Sequence, residues 1–516
     1  MLAKVLSAAV YGVDALEVEI EVNAGQGSPA IIIVGLPDAA VKESRDRVVT
    51  AITNSGYQWP RGRTTVNLAP ADVKKEGPSF DLPIALAMIA TREEDSERWQ
   101  ADECVFVGEL ALTGAVRPVR GVLPIAIEAR KRKRKAIFVP AANAREAAIV
   151  RGIDVYGISN LRETYEHLEG KRTLVPVRED VGAFFEAHQK YDVDFGEVKG
   201  QPHAKRAIEV AVAGGHNILM IGPPGSGKSM LAKRIPTIMP PMSIEEAIET
   251  TKIHSIAGLL DPDHAFVAHR PFRSPHHTVS DIGLLGGSAT PTPGEVSFAH
   301  NGVLFLDELP EFKRSALEVM RQPLEDGRVT ISRAAGSMTF PSAFVLVAAM
   351  NPCPCGFYGD LRRECRCSPG NVQKYRQRIS GPLLDRIDIH VEVPAVGYSD
   401  ISSSQSAEAS VDIRKRVEAA WLLQQKRFRG IKSRGAGTTC NARMTPRSIK
   451  TFCALEERGA DLLRLAMTEL NFSARAYDRI LKVARTIADL DSQDCIQAHH
   501  LGEAIQYRTL DRNTWM

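Results

Sequence analysis

Eight residues, GPPGSGKS at 222–229, constrain this chain more than any others. They fit G-x-x-x-x-G-K-[ST], follow the apolar run NILMI directly and precede the helical MLAKRI, so a buried strand must pass into a helix through a glycine-rich turn. Such a turn lets successive backbone N–H groups close around phosphate oxygens, and the helix N-terminus adds partial positive charge. Gly222, Pro223, Pro224, Gly225, Ser226, Gly227, Lys228 and Ser229 are therefore the candidate cradle for ATP. Lys228 is placed to neutralise the β and γ phosphates and the Ser229 hydroxyl to ligate Mg²⁺. A plain glycine turn before a helix is the competing reading.

Two more buried-strand patterns follow in order. NGVLFLDELPEF carries Asp307 and Glu308 at the end of its apolar run, and FVLVAAMNP carries Asn351. In a parallel α/β sheet the C-terminal ends of the strands are where ligands sit. Asp307 is expected to hold Mg²⁺ through water, Glu308 to polarise the attacking water as general base, and Asn351 to orient that water and sense the γ phosphate.

At 516 residues the chain is too long for one core, and three or four domains are expected. Residues 1–165 alternate β-type runs with helical stretches such as PIALAMIA, an α/β pattern, and 166–192 reads as linker. Residues 193–395 form a second α/β domain around the P-loop. A serine-rich connector, VGYSDISSSQSAEAS, then opens a helical segment, 396–516. The expected fold class is α/β multidomain.

The composition, 44% hydrophobic and 25% charged, is that of an ordinary globular protein, and a net charge of +3 provides no whole-molecule basic field. Nucleic-acid binding would have to come from local patches. RKRKRK at 130–135 and QQKRFRGIKSRG at 424–435 are candidates; both also read as solvated faces, and Phe428 makes the second the better one. No apolar run reaches membrane-spanning length, so a cytoplasmic protein with no membrane partner is expected.

In a reducing compartment a cysteine cluster points to metal more than to disulfides. Four of the eight cysteines, Cys353, Cys355, Cys365 and Cys367, fall within NPCPCGFYGDLRRECRCSPG, in the spacing C-x-C, nine residues, C-x-C. Four thiolates suffice for a closed, tetrahedral, structural Zn²⁺ site, and four reduced thiols in a loop is the alternative. Arg362, Arg363 and Arg366 in that loop are candidates to meet DNA or a neighbouring subunit.

The P-loop, LFLDE, the strand ending in AMNP, and SGPLLDRIDIHVEVP together resemble AAA+ ATPases of the magnesium-chelatase and MCM-helicase clade. That resemblance implies that Arg386 acts as an arginine finger on a neighbouring subunit's ATP, and hence a homohexameric ring. NFSARAYDRIL resembles the sensor 2 segment and implies Arg475 as the lid arginine. EDGRVTISRAAGSMTFPSAFVL resembles the clade's pre-sensor 1 hairpin, with Arg333 in the place of the pore-facing basic residue and Arg328 on the same hairpin. FRSPHHTVSDIGLLGGSATPTPGEVSFAHNG corresponds to the helix 2 insert. His276 and His277 within it are candidate DNA contacts or, alternatively, a metal pair or plain packing residues.

KKEGPSFDLPIALAMIA resembles the nucleophile segment of Lon-type proteases, with Ser79 in the serine's place, and GELALTGAVRPVRGVLPIAIEARKRKRKAIFVP resembles the later segment, with Leu123 where the lysine is expected. A serine without a positioned base is a poor nucleophile, so a Lon-protease-like N-terminal α/β domain without peptidase activity is implied. The full-length arrangement of Lon-like domain, AAA+ P-loop α/β core and helical C-terminal lid domain resembles the ComM/YifB family. The implied function is a hexameric helicase that drives branch migration during natural transformation, with single-stranded and branched DNA and recombination proteins as partners. A metal-chelatase motor subunit and an ATP-dependent protease are the alternatives.

Overall fold

The computed structural model describes residues 2–92, 103–180, 191–261, 266–288, 291–333, 336–360, 363–397, 407–429, 440–470 and 472–510, together with 101, 182 and 185. The tip of the predicted hairpin (334–335), Arg362, most of the serine-rich connector and 430–435 of the second basic run lie outside the described residues. Two compact units emerge, Met1–His188 with Ile244–Ala268, and Gln189–Ser243 with His269–Met516.

The first unit is built on a seven-stranded mixed sheet. Its strands are β1 (Leu2–Tyr11), β2 (Asp14–Ala24), β3 (Ala30–Val34), β4 (Arg63–Ala69), β5 (Cys104–Phe106), β8 (Ala136–Pro140) and β9 (Asp154–Ile158), in the order β3-β4-β2-β1-β5-β8-β9; β6 (Glu109–Leu110) and β7 (Val116–Arg117) form a separate short ribbon. Five consecutive residues of β1, Val5–Ala9, are buried. Side chains alternate across a strand, so both faces of the sheet are covered there. The helices Asp81–Ala90 and Val122–Lys131 both pack on β1 and β2. The 130–135 basic run is largely ion-paired, with Lys131 and Arg132 on Glu128, Arg134 on Glu17 and Lys135 on Glu103.

Residues 244–268 follow the P-loop helix in sequence yet cluster with this first unit. The helix Ile244–Ala257 buries Thr250, Thr251 and Ser255 beside Ala247 and Ile253. Ser255 donates to the buried Glu146 carboxylate, and Lys252 pairs with Asp14. Part of the segment read as linker also belongs here: the helix Leu161–Leu168 runs past 165, and Val177 N–H donates to the Val155 carbonyl at 2.7 Å.

The second unit has a five-stranded, all-parallel sheet of β10 (Ile218–Ile221), β11 (Phe272–Arg273), β12 (Val303–Leu306), β15 (Val345–Met350) and β16 (Ile389–Glu392), ordered β11-β12-β15-β10-β16. The residues of β10, β12 and β15 are all buried, as expected where helices cover both faces of a parallel sheet. A hairpin of β13 (Arg328–Arg333) and β14 (Gly336–Pro341) precedes β15. The C-terminal part is helical: Ser410–Phe428, Pro446–Phe452, Glu457–Glu469, Ala474–Leu490 and Ala498–Gln506. Among the described residues no helix is long and apolar enough to cross a membrane.

Candidate nucleotide site and cysteine cluster

Register brings the predicted residues to one rim of the parallel sheet. Ile221 pairs with Met350, so β10 and β15 end level, and Gly222 N–H donates to the Met350 carbonyl at 3.2 Å. The chain turns through Gly225 and Gly227, both at positive φ, into the helix Lys228–Ile238. Gly222 has a steric reason as well, because a Cβ there would overlap the Val393 carbonyl oxygen.

Lys228 is buried, and burial lowers its pKa, with Asp307 acting in the opposite sense. Its ammonium donates to the carbonyls of Gly222 (2.8 Å) and Pro223 (2.9 Å) and to Asn351 Oδ1 (3.3 Å). Ser229 Oγ donates to Asp307 Oδ2 at 2.7 Å. A hydroxyl and a carboxylate meeting at a helix N-terminus form a hard-oxygen pair of the kind Mg²⁺ takes beside phosphate. The residues present therefore fit Mg²⁺ and a triphosphate.

Glu308 follows with left-handed backbone, φ 53°, and its side chain is exposed. His277 Nδ1 lies 3.2 Å from Glu308 Oε2, while His276 stacks on His277 at 4.1 Å and pairs with Thr278. The second histidine thus faces the acid at the end of β12.

Arg386 and Arg475 gather elsewhere. Both line a cavity of about 460 Å³ with Asp385, Glu325, Arg443 and Arg479, and no P-loop residue lines it. Arg386 is largely buried, donating to the Pro382 carbonyl at 2.6 Å and pairing with Glu325, and its Nε is buried with no hydrogen-bond partner among the described residues. Arg475 is exposed, with Nη1 3.5 Å from Asp385.

Arg333 and Arg328 are both exposed but at opposite ends of β13, Arg333 paired with Gly336 beside the tip and Arg328 with Pro341 at the base. Buried Val329, Ile331 and Phe340 anchor one face of the hairpin, and the hydroxyl pairs Thr330–Thr339 and Ser332–Ser337 line the other. Gly287 of the insert lies against Ile331 and the Arg333 guanidinium, so hairpin and insert meet.

The four cysteines come together. Their sulfur atoms all lie within 4.8 Å of one another, with Cys353–Cys355 at 3.3 Å, Cys355–Cys365 at 3.6 Å and Cys353–Cys365 at 3.7 Å. A tetrahedral Zn²⁺ with Zn–S of about 2.3 Å sets its sulfur atoms about 3.8 Å apart. None is disulfide-bonded. The N–H groups of Phe357 and Arg366 hold the Cys355 thiol down to about 6, whereas Cys365, despite the Cys367 N–H that favours its thiolate, is pushed up to about 12 by burial and the neighbouring sulfurs. Four sulfur atoms at this spacing match a tetrahedral set of ligands, and this cluster could hold a metal.

Family models described as "Magnesium chelatase, subunit ChlI", "Subunit ChlI of Mg-chelatase" and "Magnesium chelatase, subunit ChlI C-terminal" match residues 194–401, 20–143 and 407–508. The chain is 44% identical to the YifB protein of Escherichia coli (strain K12), over 98% of this chain and 96% of that one. It is 43% identical to the competence protein ComM of Haemophilus influenzae, over 99% of this chain and 98% of that one. The chain belongs to the ComM/YifB family.

This ComM/YifB chain carries a magnesium-chelatase-like AAA+ domain, formed by the parallel sheet with its helical C-terminal part. A partial likeness, 29% identity over 154 residues or 27% of this chain, runs to Lon protease 2 of Bacillus subtilis. In the N-terminal unit Ser79 sits in a short turn, Pro78–Phe80, ahead of the helix Asp81–Ala90, and Leu123, at the expected lysine position, is fully buried. One contact of this ComM/YifB chain escapes sequence reasoning. The His277–Glu308 pair joins two loops that no local sequence pattern links, whereas Ser229 and Asp307 are already assigned to one Mg²⁺ from the sequence.

Proposed function

We propose that this chain is an ATP-driven, ring-forming DNA motor that moves branched DNA joints, acting in natural transformation as its likeness to ComM suggests. The observation that carries the reading is the separation of Arg386 and Arg475 from the P-loop of their own chain. A site with lysine, serine and acids from which Arg386 and Arg475 stand apart among the described residues is completed by a neighbouring copy's arginine, and a closed ring of copies, a homohexamer, satisfies every site.

Within one site, Lys228 binds the β and γ phosphates, exchanging its carbonyl partners for phosphate oxygens. Ser229 and Asp307 hold Mg²⁺, which when bound offsets the charge of the phosphates. Glu308 takes the proton of the attacking water, and Asn351, bonded to Lys228, reports the state of the γ phosphate to the loop beyond it. Arg386 must leave Glu325 to act on the neighbour's nucleotide.

DNA contact is assigned to Arg333 beside the hairpin tip and to the insert that meets it, with His276 on the exposed side; Arg328, at the hairpin base, is the weaker candidate. A ring of exposed arginines tracks phosphates without reading bases. The four cysteines are assigned to one structural Zn²⁺, since four thiolate ligands leave no open position for catalysis. A chelatase motor is the second reading, favoured by the family models over 194–401; the exposed arginine hairpin speaks for DNA.

A labelled three-stranded junction incubated with the protein, ATP and Mg²⁺ tests the reading. ATP-dependent strand movement, absent in Lys228→Ala and Glu308→Gln, is expected. Active ATPase without strand movement and without stimulation by DNA would sink it.

A further inference from the structure

The loop that carries the cysteines presses on the P-loop. Gly356, one residue beyond Cys355, adopts φ +87° and lies so close to Pro224 that a Cβ on it would fall 2.5 Å from the Pro224 Cδ. Gly356 N–H donates to the Cys353 carbonyl at 3.0 Å, so the turn that meets Pro224 is closed by a ligand residue. At its start the same loop leaves β15 through Asn351, which accepts a hydrogen bond from Lys228. Arg376 fastens the intervening stretch, donating to the Pro352 carbonyl at 3.2 Å and lying 5.0 Å over the Tyr358 ring. Between loop and P-loop lies a cavity of about 340 Å³ lined by Gly222, Pro223, Pro352, Gly356 and Tyr358.

Apart from the Arg376 contacts and a few local bonds, the sulfur cluster is what ties the two halves of this loop together. Residues 352–360 form no helix or strand, and of the four cysteines only Cys353 is buried. Without a metal only weak sulfur–sulfur contacts of 3.6 and 3.7 Å join the two C-x-C pairs, and the turn through Gly356 loses the bonded constraint that sets it against Pro224. With one, a short loop is cross-linked at four points, and the geometry of the turn is fixed by metal–ligand bonds.

We propose that metal held by Cys353, Cys355, Cys365 and Cys367 sets the conformation of the P-loop through Gly356, so that ATP affinity follows metal occupancy. Gly356 is a positioning residue acting through Pro224. The proposal rests on the metal reading of the cysteines given above and extends it to control of the nucleotide site.

The test uses the full-length protein, zinc analysis by mass spectrometry and titration with a fluorescent N-methylanthraniloyl ATP in excess Mg²⁺. One zinc per chain is expected. Stripping it with a thiol-tolerant zinc chelator should raise Kd and the KM for ATP by about tenfold, the effect of losing roughly one charge-assisted hydrogen bond to phosphate. Re-adding Zn²⁺ should restore both, and kcat at saturating ATP should hold. Gly356→Ala should retain its zinc and show the same rise in KM; Cys353→Ser with Cys365→Ser should lose zinc and match the stripped protein. A stripped protein with unchanged KM and reduced kcat has merely lost folded molecules, and overturns the coupling. A protein that neither carries nor takes up zinc overturns the metal reading as well. Zinc-loaded protein that fails to bind the ATP analogue overturns the ATPase reading itself.

Discussion

Glu308 combines two features that rarely coincide on an ordinary strand end. Its backbone is left-handed, which costs about 1–2 kcal/mol for a residue with a Cβ, and its carboxylate faces His277. The strained turn carries the acid out of the β12 line, and the histidine gives it a resting partner. The contact is exposed, so it is worth no more than about 1 kcal/mol, or roughly fivefold in an equilibrium. Accordingly, His277→Ala should raise ATP turnover measured without DNA by up to about fivefold and flatten its stimulation by DNA. A fall to background would mean that the histidine assists the base instead of restraining it. Glu308 itself was legible from an apolar run ending in two acids. Its partner was not, because the pair HH in a polar loop looks the same whether it faces solvent, a metal or a carboxylate.

At the scale of elements, the helix Ala474–Leu490 is tied to the parallel sheet by one buried carboxylate. Asp388, at the edge of β16, pairs with Arg479 and with His216 Nδ1 at 3.0 Å, and His216 Nε2 reaches Thr486 at 2.8 Å. Burial pushes the Asp388 pKa up, but Arg479 and His216 outweigh it and leave the carboxyl well below the usual carboxylate range. A depressed carboxyl contributes stability that is whole above its unfolded value of about 3.9 and drains away as pH falls from there toward the folded value. Asp388→Asn should therefore cost about 3–5 kcal/mol at pH 7, the usual result of orphaning a buried cation, and the gap to the wild-type protein should narrow below about pH 4. Urea unfolding of both proteins at pH 7 and pH 3.5 checks it; equal gaps at the two pH values would show that the charge of Asp388 is not what matters. Strands β10, β12 and β15 were legible because buried parallel strands read as unbroken apolar runs. The helix Ile244–Ala257 reads by sequence with the 193–395 domain but clusters with the first unit; it buries threonines and a serine, and the apolar spacing that would mark its packing face is faint.

At the scale of the whole molecule, the proposed trans action of Arg386 would make activity a property of assemblies. Lys228→Ala and Arg386→Ala chains should each be inactive alone, the first for want of a nucleotide and the second with ATP still bound. Mixed in equal amounts they should recover about a quarter of wild-type turnover per chain, since half the sites keep Lys228 and half of those face an intact Arg386 in a randomly mixed ring. Steady-state ATPase across mixing ratios measures it, and no recovery at any ratio would place the finger in the same chain as its nucleotide.

The excursion of residues 244–268 into the first unit has a practical meaning for anyone wishing to divide this protein. The chain passes between the units three times, so no single cut separates them. A fragment beginning after residue 188 would keep the helix Ile244–Ala257 while discarding the Glu146 and Asp14 that hold Ser255 and Lys252. Its poor solubility or idle ATPase would then report a stranded helix, and would say nothing about whether the motor needs its N-terminal partner.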